Sequence, residues 1–443
     1  MMTGAANKFD RPQMPVLVAG LGLTGWSVVR YLIAEGCDVA VTDTREHPPY
    51  LESLQQAFPD VPFVRNLPLT EYDAYSAVVA SPGLAVEADN VIGDIELFVR
   101  AAEAPIIAIT GSNGKSTVTM LVGEMLAAGD YQVEVGGNIG TPALDLLQQP
   151  VPDFYVLELS SFQLETTYSM AAKSSVVLNV SEDHMDRYAS LPDYTEAKFR
   201  IYQDAECQVL NRDDAIAGKY STNGFSVSFG LDQPAPGHFG IICSSGERYF
   251  ASGSEKLCPV SAMTMKGEQN VSNVLAAMAL VTGAGLSLNG EMVDAAMRYS
   301  GLPHRCELVG TWNSIQWIND SKGTNVGATL AAINGASKPL LLIAGGQGKG
   351  ADFSPMADAL GLGMKKVILF GEDAAIIHNA LGDDNRIQIA DSLQQAVLCA
   401  RDCAKSGDTI LFSPACASFD MFDSYVQRGE EFSRLVKEVN DAG

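Results

Sequence analysis

The chain has 443 residues, 47% of them hydrophobic and 19% charged, with 41 Gly and 20 Pro. That is a folded globular profile, and at about 100–200 residues per domain it predicts roughly three domains. The 53 acidic residues outweigh 29 basic ones for a formal net charge of −24, a field that repels polyphosphate backbones and excludes a general nucleic-acid binder.

Eight cysteines include no CxxC pair, and Cys399 and Cys403 have no second pair or His cluster nearby. A zinc site and a disulfide framework are therefore not expected, and the cysteines read as reduced thiols of a cytoplasmic protein. The polar N-terminal extension, residues 1–14, has no apolar core of a signal peptide. The longest apolar runs, such as 340–344, fall far short of the ~20 residues of a spanning helix, so no membrane partner is expected.

In chain order, three α/β blocks are predicted. The first opens with a strand at Val16–Ala19. A helix follows whose apolar side is Trp26, Val29, Tyr31, Leu32 and Ile33, ended by Gly36. Strands at 38–42 and 77–81 complete a βαβ pattern and a parallel sheet. The second block begins at Pro105, with a strand at Ile106–Thr110. Val118, Leu121, Val122, Met125 and Leu126 then mark the core face of a helix. Strands at 154–159, 175–180 and 208–210 follow. The Gly/Ser/Pro-rich stretch 220–265 reads as an antiparallel appendage, and helices near 270–283 and 290–300 close the block. Gly301-Leu-Pro303 reads as a linker. The third block carries strands at 315–318, 340–344, 367–370, 386–389 and 409–412 between helical patterns.

The sharpest motif is Thr110-Gly-Ser-Asn-Gly-Lys-Ser-Thr117 between a strand and a helix. Its glycines let successive amides turn inward on an anion, and the helix N-terminus adds its positive dipole end. Lys115 supplies a mobile cation for the β/γ-phosphates, and the Ser116 hydroxyl can ligate Mg²⁺. The usual spacing would place glycine where this chain has Ile109, so the loop is a shortened variant. Glu158 ends an apolar strand and suits a metal, and His184 follows another strand. Lys198, by its sequence alone, is an ordinary helix-surface lysine.

Gly20-Leu-Gly22-Leu-Thr-Gly25 is a G-x-G-x-x-G turn between strand and helix, with Asp43 ending the next strand. That is a Rossmann fingerprint for a nucleotide diphosphate, in which Asp43 can accept from a ribose hydroxyl. In the third block, polar or glycine loops follow three strands at 319–325, 345–350 and 413–420, where α/β folds bind ligands.

Taken together these motifs resemble the Mur ligases over nearly the whole chain, to about Phe432. The pieces that carry the resemblance are LGLTG at 21–25, TGSNGKST at 110–117, GGNIG at 136–140, ELSSFQLE at 158–165, NVSEDHMDRY at 179–188, GLPHR at 301–305, NDSKGTN at 319–325 and SPACASFD at 413–420. LGLTG and SPACAS are similar to the D-glutamate-adding members. The resemblance implies a Rossmann-like domain for a UDP-sugar at 1–103, a central P-loop ATPase domain at 104–301, and a C-terminal Rossmann-like domain at 302–443. It implies a cytoplasmic, monomeric ligase that joins D-glutamate to UDP-MurNAc-L-alanine with ATP and Mg²⁺. By the family pattern, Gly111, Ser112, Asn113, Gly114, Lys115, Ser116, Thr117, Asn273, Arg305 and Asp320 hold ATP. Ser116, Glu158, His184 and Lys198 serve two metal sites, and Lys198 falls on a lysine carbamylated by CO₂. Leu23, Thr24, Asp43, Thr44, Arg45, Gly83, Asn138 and Gln163 line the UDP-sugar path, while Thr324, Lys349, Ser418 and Tyr425 hold D-glutamate. The chain departs from the family at Gln269, where members often carry His before Asn270.

Three other readings stay open on the sequence. A folylpolyglutamate-type ligase shares the ATPase logic but should lack the block at 20–43. A dinucleotide-dependent dehydrogenase explains Gly20–Gly25 but leaves Lys115 unused. A nucleotide-gated binding protein needs no convergent loops in the third block.

Overall fold

Three separate sheets, each built around glycine-ended parallel strands, form the chain. The structure, a computed structural model, describes residues 14–84, 90–185, 187–220, 224–361 and 363–441. The first sheet contains β1 (Val16–Ala19), β2 (Val39–Asp43), β3 (Phe63–Arg65), β4 (Ala77–Ala80) and β5 (Val91–Ile92), in the order β3-β2-β1-β4-β5. All of its pairs are parallel. The alternating faces of β1 bury Val16 and Val18 on one side, and Leu17 and Ala19 on the other, so helices cover both faces.

The second sheet has nine strands: β6 (Ile106–Thr110), β7 (Val133–Gly137), β8 (Phe154–Glu158), β9 (Ser174–Val177), β10 (Cys207–Asn211), β11 (Phe225–Phe229), β12 (Phe239–Ser244), β13 (Glu247–Ser252) and β14 (Glu255–Pro259). They run β14-β13-β12-β11-β10-β9-β6-β8-β7. The stretch 220–265 thus corrects the expectation of an antiparallel appendage. Phe225–Phe229 pairs parallel with β10, and the antiparallel part of the expectation holds for the β12/β13 and β13/β14 pairs. The reason is burial. Val227, Phe229, Phe239 and Phe250 join the same core as Val118, Leu121 and Met125, so these short strands extend the central sheet.

The third sheet holds β15 (Glu307–Trp312), β16 (Ile315–Asn319), β17 (Leu340–Gly345), β18 (Met364–Phe370), β19 (Ile387–Ile389) and β20 (Thr409–Phe412), ordered β15-β16-β20-β17-β18-β19. Only the edge strand β15 is antiparallel. Four strands went unread in the sequence in addition to those of the 220–265 stretch: β3, β5, β7 and β15 are short or half exposed, without a run of apolar residues.

Side-chain contacts dock the first unit on the second. Asp145 accepts from Ser27 Oγ and Arg30, each at 2.7–2.8 Å. The buried Glu96 accepts from the amides of Tyr168 and Ser169. In each sheet the strand order reverses beside a central strand, which opens a crevice at the carboxyl ends where ligands bind in such folds.

Candidate active site

Strand β6 sits between β9 and β8, so the loop that leaves it, 111–114, emerges between the ends of two parallel neighbours. Gly111 and Gly114 adopt φ of 152° and 83°, which other residues rarely adopt. A Cβ on Gly114 would lie 2.6 Å from Asn273 Oδ1, so glycine here also admits Asn273 against the loop. Ile109, in the place of the usual first glycine, is fully buried in β6. The loop is pinned from the β9 side: Asn179 Oδ1 accepts from the Asn113 amide at 2.8 Å, and Asn179 Nδ2 donates back to Asn113 O. Helix Lys115–Ala128 follows, with Ser116 and Thr117 buried in its first turn.

Lys115 folds over its own loop, donating to Gly111 O at 2.8 Å and Ser112 O at 3.0 Å. Burial lowers its pKa, against the pull of Glu158 and Asp183. Lys198 is not a surface lysine. It is 1% exposed, donates to Gly111 O at 3.0 Å and lies 4.4 Å over the ring of Tyr194. Burial, and then the neighbouring Lys115 charge, push its pKa well below the ordinary lysine value. Helix Leu191–Phe199 brings it inward, capped by Ser190.

Glu158 ends β8, and its Oε1 accepts from Asn138 Nδ2 at 2.9 Å. Its Oε2 is buried without a hydrogen-bond partner. An ionised oxygen left this way is costly unless a cation meets it, so the residues present fit a divalent cation here. Among the described residues no three His, Cys, Asp or Glu side chains converge. Such a donor set suits Mg²⁺, which takes one or two carboxylates and completes its shell with phosphate oxygens and water. His184, at φ 59°, packs edge-on against Phe162 at 4.9 Å. Burial lowers its pKa, with Asp183 opposing and Lys349, Lys115 and Lys198 assisting, so the imidazole is held neutral.

Two adjoining cavities result. One, of about 360 Å³, is lined by Ser112–Ser116, Asn138, Glu158, His184 and Lys198 of the second sheet, and by Arg305, Thr324, Lys349, Ser418 and Tyr425 of the third. Pro82 reaches it from the first unit. The other, of about 380 Å³, is lined by Asn113, Gly114, Thr117, Gln269, Asn273, Arg305, Cys306 and Asp320. Gln269 donates to Cys306 Sγ there at 3.9 Å. Asp320 is buried, accepts from Ser413 Oγ at 2.7 Å and from the Cys306 amide at 3.1 Å, and is pushed up to about 6 by burial. Lys322 lines both cavities, lies 4.0 Å over the Tyr425 ring and is lowered by burial to about 8.

The remaining residues of the expected UDP-sugar path stay apart. Leu23, Thr24, Thr44, Arg45, Gly83 and Gln163 line neither cavity. Leu23, Thr44, Arg45 and Gly83 are exposed around the carboxyl end of the first sheet. Asp43, expected as a ribose acceptor, is already engaged within the chain. Its carboxylate accepts from the Leu21 and Arg45 amides and from the Arg45 guanidinium at 2.7–2.9 Å. These bonds tie the glycine turn to Arg45. Gln163 is likewise engaged, in a capping box with Ser160 and by donation to the buried Asp94 at 3.4 Å.

Sequence reasoning did not single out Asp183, Asn325 or Arg428. Arg428 is 1% exposed and donates to Ser321 O, Ser321 Oγ, Cys416 O and Ala417 O. It holds the 319–325 and 413–418 loops together without a carboxylate partner at those atoms. The QRG setting of Arg428, on a helix, carries no signal of this.

Family models match along the chain: the Mur ligase MurD-like N-terminal domain at 14–99, the Mur ligase middle domain at 109–281, and the Mur ligase glutamate ligase domain at 304–416. The UDP-N-acetylmuramoylalanine–D-glutamate ligase of Marinobacter nauticus is 47% identical over 436 residues, 95% of this chain and 97% of that protein. The protein of the same name from Pseudomonas fluorescens is 46% identical, over 96% of this chain and 98% of its own length. The fold is shared with a MurF ligase from Thermotoga maritima solved in complex with ADP, at a TM-score of 0.64 and 15% identity, covering 91% of this chain and 95% of that one. With three consecutive domain models and near-complete coverage at this identity, the chain belongs to the Mur ligase family.

Proposed function

We propose that the protein is an ATP-dependent ligase that joins D-glutamate to the carboxyl group of UDP-N-acetylmuramoyl-L-alanine, releasing ADP and phosphate, in peptidoglycan precursor synthesis. The observation that carries the reading is the 360 Å³ cavity. One wall is a phosphate loop with Lys115 and the partnerless Glu158 Oε2, and the other presents Lys349, Ser418 and Thr324. Relatives that cover nearly the whole chain bear the corresponding name.

A carboxylate is a poor electrophile because its leaving group would be oxide. In the proposed reaction the substrate carboxylate attacks the γ-phosphorus, the bond to the bridging oxygen breaks, and ADP leaves with the electron pair. The acyl phosphate is then attacked by the amine of D-glutamate. The tetrahedral intermediate collapses with loss of phosphate, and the amine gives up a proton. Lys115 and Arg305 stabilise charge on the transferring group by position and electrostatics. The neutral imidazole of His184 is in the form that accepts a proton or a metal. Mg²⁺, when bound, neutralises charge on the phosphate oxygens, and Ser116, Glu158 and His184 are the residues assigned to it at two sites. Lys198 is assigned as a carbamate formed with CO₂. Its depressed pKa favours the neutral amine that attacks CO₂, and the product offers oxygen donors where an ammonium offers none.

The units meet at 103/104 and 301/302, and the UDP-sugar and ATP sites each draw on two of them. Leu23, Thr24, Asp43, Thr44, Arg45, Gly83, Asn138 and Gln163 serve the UDP-sugar. Gly111–Thr117, Asn273, Arg305 and Asp320 serve ATP, and Thr324, Lys349, Ser418 and Tyr425 serve D-glutamate. The protein acts as a monomer in the cytoplasm, where ATP is at hand; no described helix is long and apolar enough to cross a membrane.

The test is phosphate release with UDP-MurNAc-L-alanine while the amino acid is varied among D-Glu, L-Glu, meso-diaminopimelate and D-Ala-D-Ala. Release with D-Glu alone is expected. Release with another of these instead moves the protein to a different amino-acid specificity, and release with none overturns the reading.

A further inference from the structure

Asn325 belongs to the third unit, yet both protons of its side-chain amide go to the second. Its Nδ2 donates to Asn113 Oδ1 in the phosphate loop at 3.2 Å and to Asp183 Oδ2, beside His184, at 3.1 Å. Its Oδ1 caps helix Val326–Gly335 by accepting from the Ala328 amide at 2.8 Å, and Asn113 Nδ2 approaches the same oxygen at 3.5 Å. The residue is buried, 7% exposed. The neighbouring backbone is close as well: a Cβ on Gly327 would meet Ser181 Oγ at 2.9 Å. The start of this ten-residue helix therefore rests on the phosphate loop and on the segment that follows β9.

We infer that Asn325 is a positioning residue for closure of the third unit on the second, a strut that fixes the phosphate loop and the His184 segment against the amino-acid-binding loops. Three features make it suited to this. A carboxamide alone among short side chains supplies a cap acceptor and two donors at once. Asn113 and Asp183 belong to different segments of the second sheet's edge, so one side chain sets two loops. Both acceptors line the 360 Å³ cavity, so a shift of either is felt where the reacting groups meet. Displacement of reacting groups by about 1 Å costs on the order of a hundredfold in rate.

The inference rests on the proposed ligase reaction only for its kinetic arm. The variant Asn325→Ser separates the two duties: serine caps a helix as well as asparagine does, but it has no second donor and too little reach to bridge. For Asn325→Ser the melting temperature should stay near that of the native chain. kcat should fall by about ten- to a hundredfold, the KM for D-glutamate should rise, and the KM for the UDP-sugar should not move. Small-angle scattering with ADP and Mg²⁺ should give a larger radius of gyration for the variant than for the native chain. Native kinetics and a native envelope in Asn325→Ser would overturn the inference. A uniform rise in all three KM values with a lowered melting temperature would also overturn it, by reducing Asn325 to a stability residue. If the native chain itself does not turn over D-glutamate, the ligase reading fails, and the scattering arm still decides the strut.

Discussion

Arg305 donates a 2.6 Å hydrogen bond to the Ser116 hydroxyl, joining the segment after the linker to the first helical turn of the phosphate loop. The same guanidinium lines both cavities. A side chain at that junction can follow a γ-phosphoryl group as charge moves onto it. Removing a preorganised donor aimed at developing charge typically costs about 10²–10³ in kcat. Arg305→Ala should therefore lose about that factor in ATP turnover. Arg305→Lys should recover only part of it, because lysine lacks the planar fork. Turnover of the alanine variant within a factor of about two of native would refute the assignment.

Lys198 gives a prediction with a spectroscopic readout. The carbamate forms as R–NH₂ + CO₂ → R–NH–COO⁻ + H⁺, so it is favoured as pH rises and lost on the acid side. Burial already favours the neutral amine. Labelled ¹³C-bicarbonate should give a carbamate carbon resonance in the native protein and none in Lys198→Arg. Stripping CO₂ should lower activity, and bicarbonate should restore it. A native spectrum without that resonance at saturating bicarbonate would remove the carbamate from the mechanism.

Asp43 ties stability to pH. Burial opposes its ionisation, but hydrogen bonds from the Arg45 side chain and from the Leu21 and Arg45 amides outweigh it and hold the carboxyl at about 2, below the ordinary 3.8. A depressed pKa stabilises the fold above the unfolded value, and that stability is lost as pH falls through the folded one. Asp43→Asn should cost roughly 2 kcal/mol at pH 7. The deficit should shrink as pH falls from about 4 toward 2. Urea unfolding of both chains at pH 7, 4 and 2.5 measures it; a pH-independent gap would show that shape, not charge, is at stake.

Arg428 is the stability anchor of the amino-acid loops. Truncation to Met keeps the apolar stem and takes the side-chain donor from Ser321 O and Cys416 O, while Ala417 O keeps the Gln347 amide and Ser321 Oγ keeps its bond to Tyr425 O. Each buried unsatisfied group costs about 1–3 kcal/mol before relaxation, so Arg428→Met, which orphans these two carbonyls, should lose at least about 2 kcal/mol. The KM for D-glutamate should rise as Ser418 loosens. Denaturant midpoints equal to native would discount the clamp.

The local signals in the sequence were strong where a residue type has one physical use. Glycine with lysine at a strand-to-helix turn marked the phosphate loop, and a carboxylate closing an apolar strand marked Glu158. Both lie where that spacing puts them. The lysine at 198 shows the converse. Its helix, with Asp193, Thr195 and Glu196 around it, reads as solvated. Burial under Tyr194 beside Gly111 comes from packing across the fold, and only the family resemblance pointed to it. Asp43 was legible as a strand-end acid but not in its partner, because Arg45 two residues on competes for the same oxygens.

By itself the sequence determined the three α/β blocks, the acidic balance of the chain, the lack of an apolar run long enough for a spanning helix, the phosphate loop and the resemblance to the family. Apart from the family resemblance, which rests on the motifs as a set, these follow from composition, from period-2 and period-3.6 burial, and from backbone conformations that only glycine adopts readily, all of which act over a few residues. The tertiary structure alone decided that 220–265 widens the central sheet, that Asp43 serves Arg45, and that Asn113, Asp183 and Asn325 meet. Those outcomes depend on which strand edges and loop ends are brought together across as many as 212 positions, and spacing along the chain carries no record of distances that only the packing of the three sheets fixes.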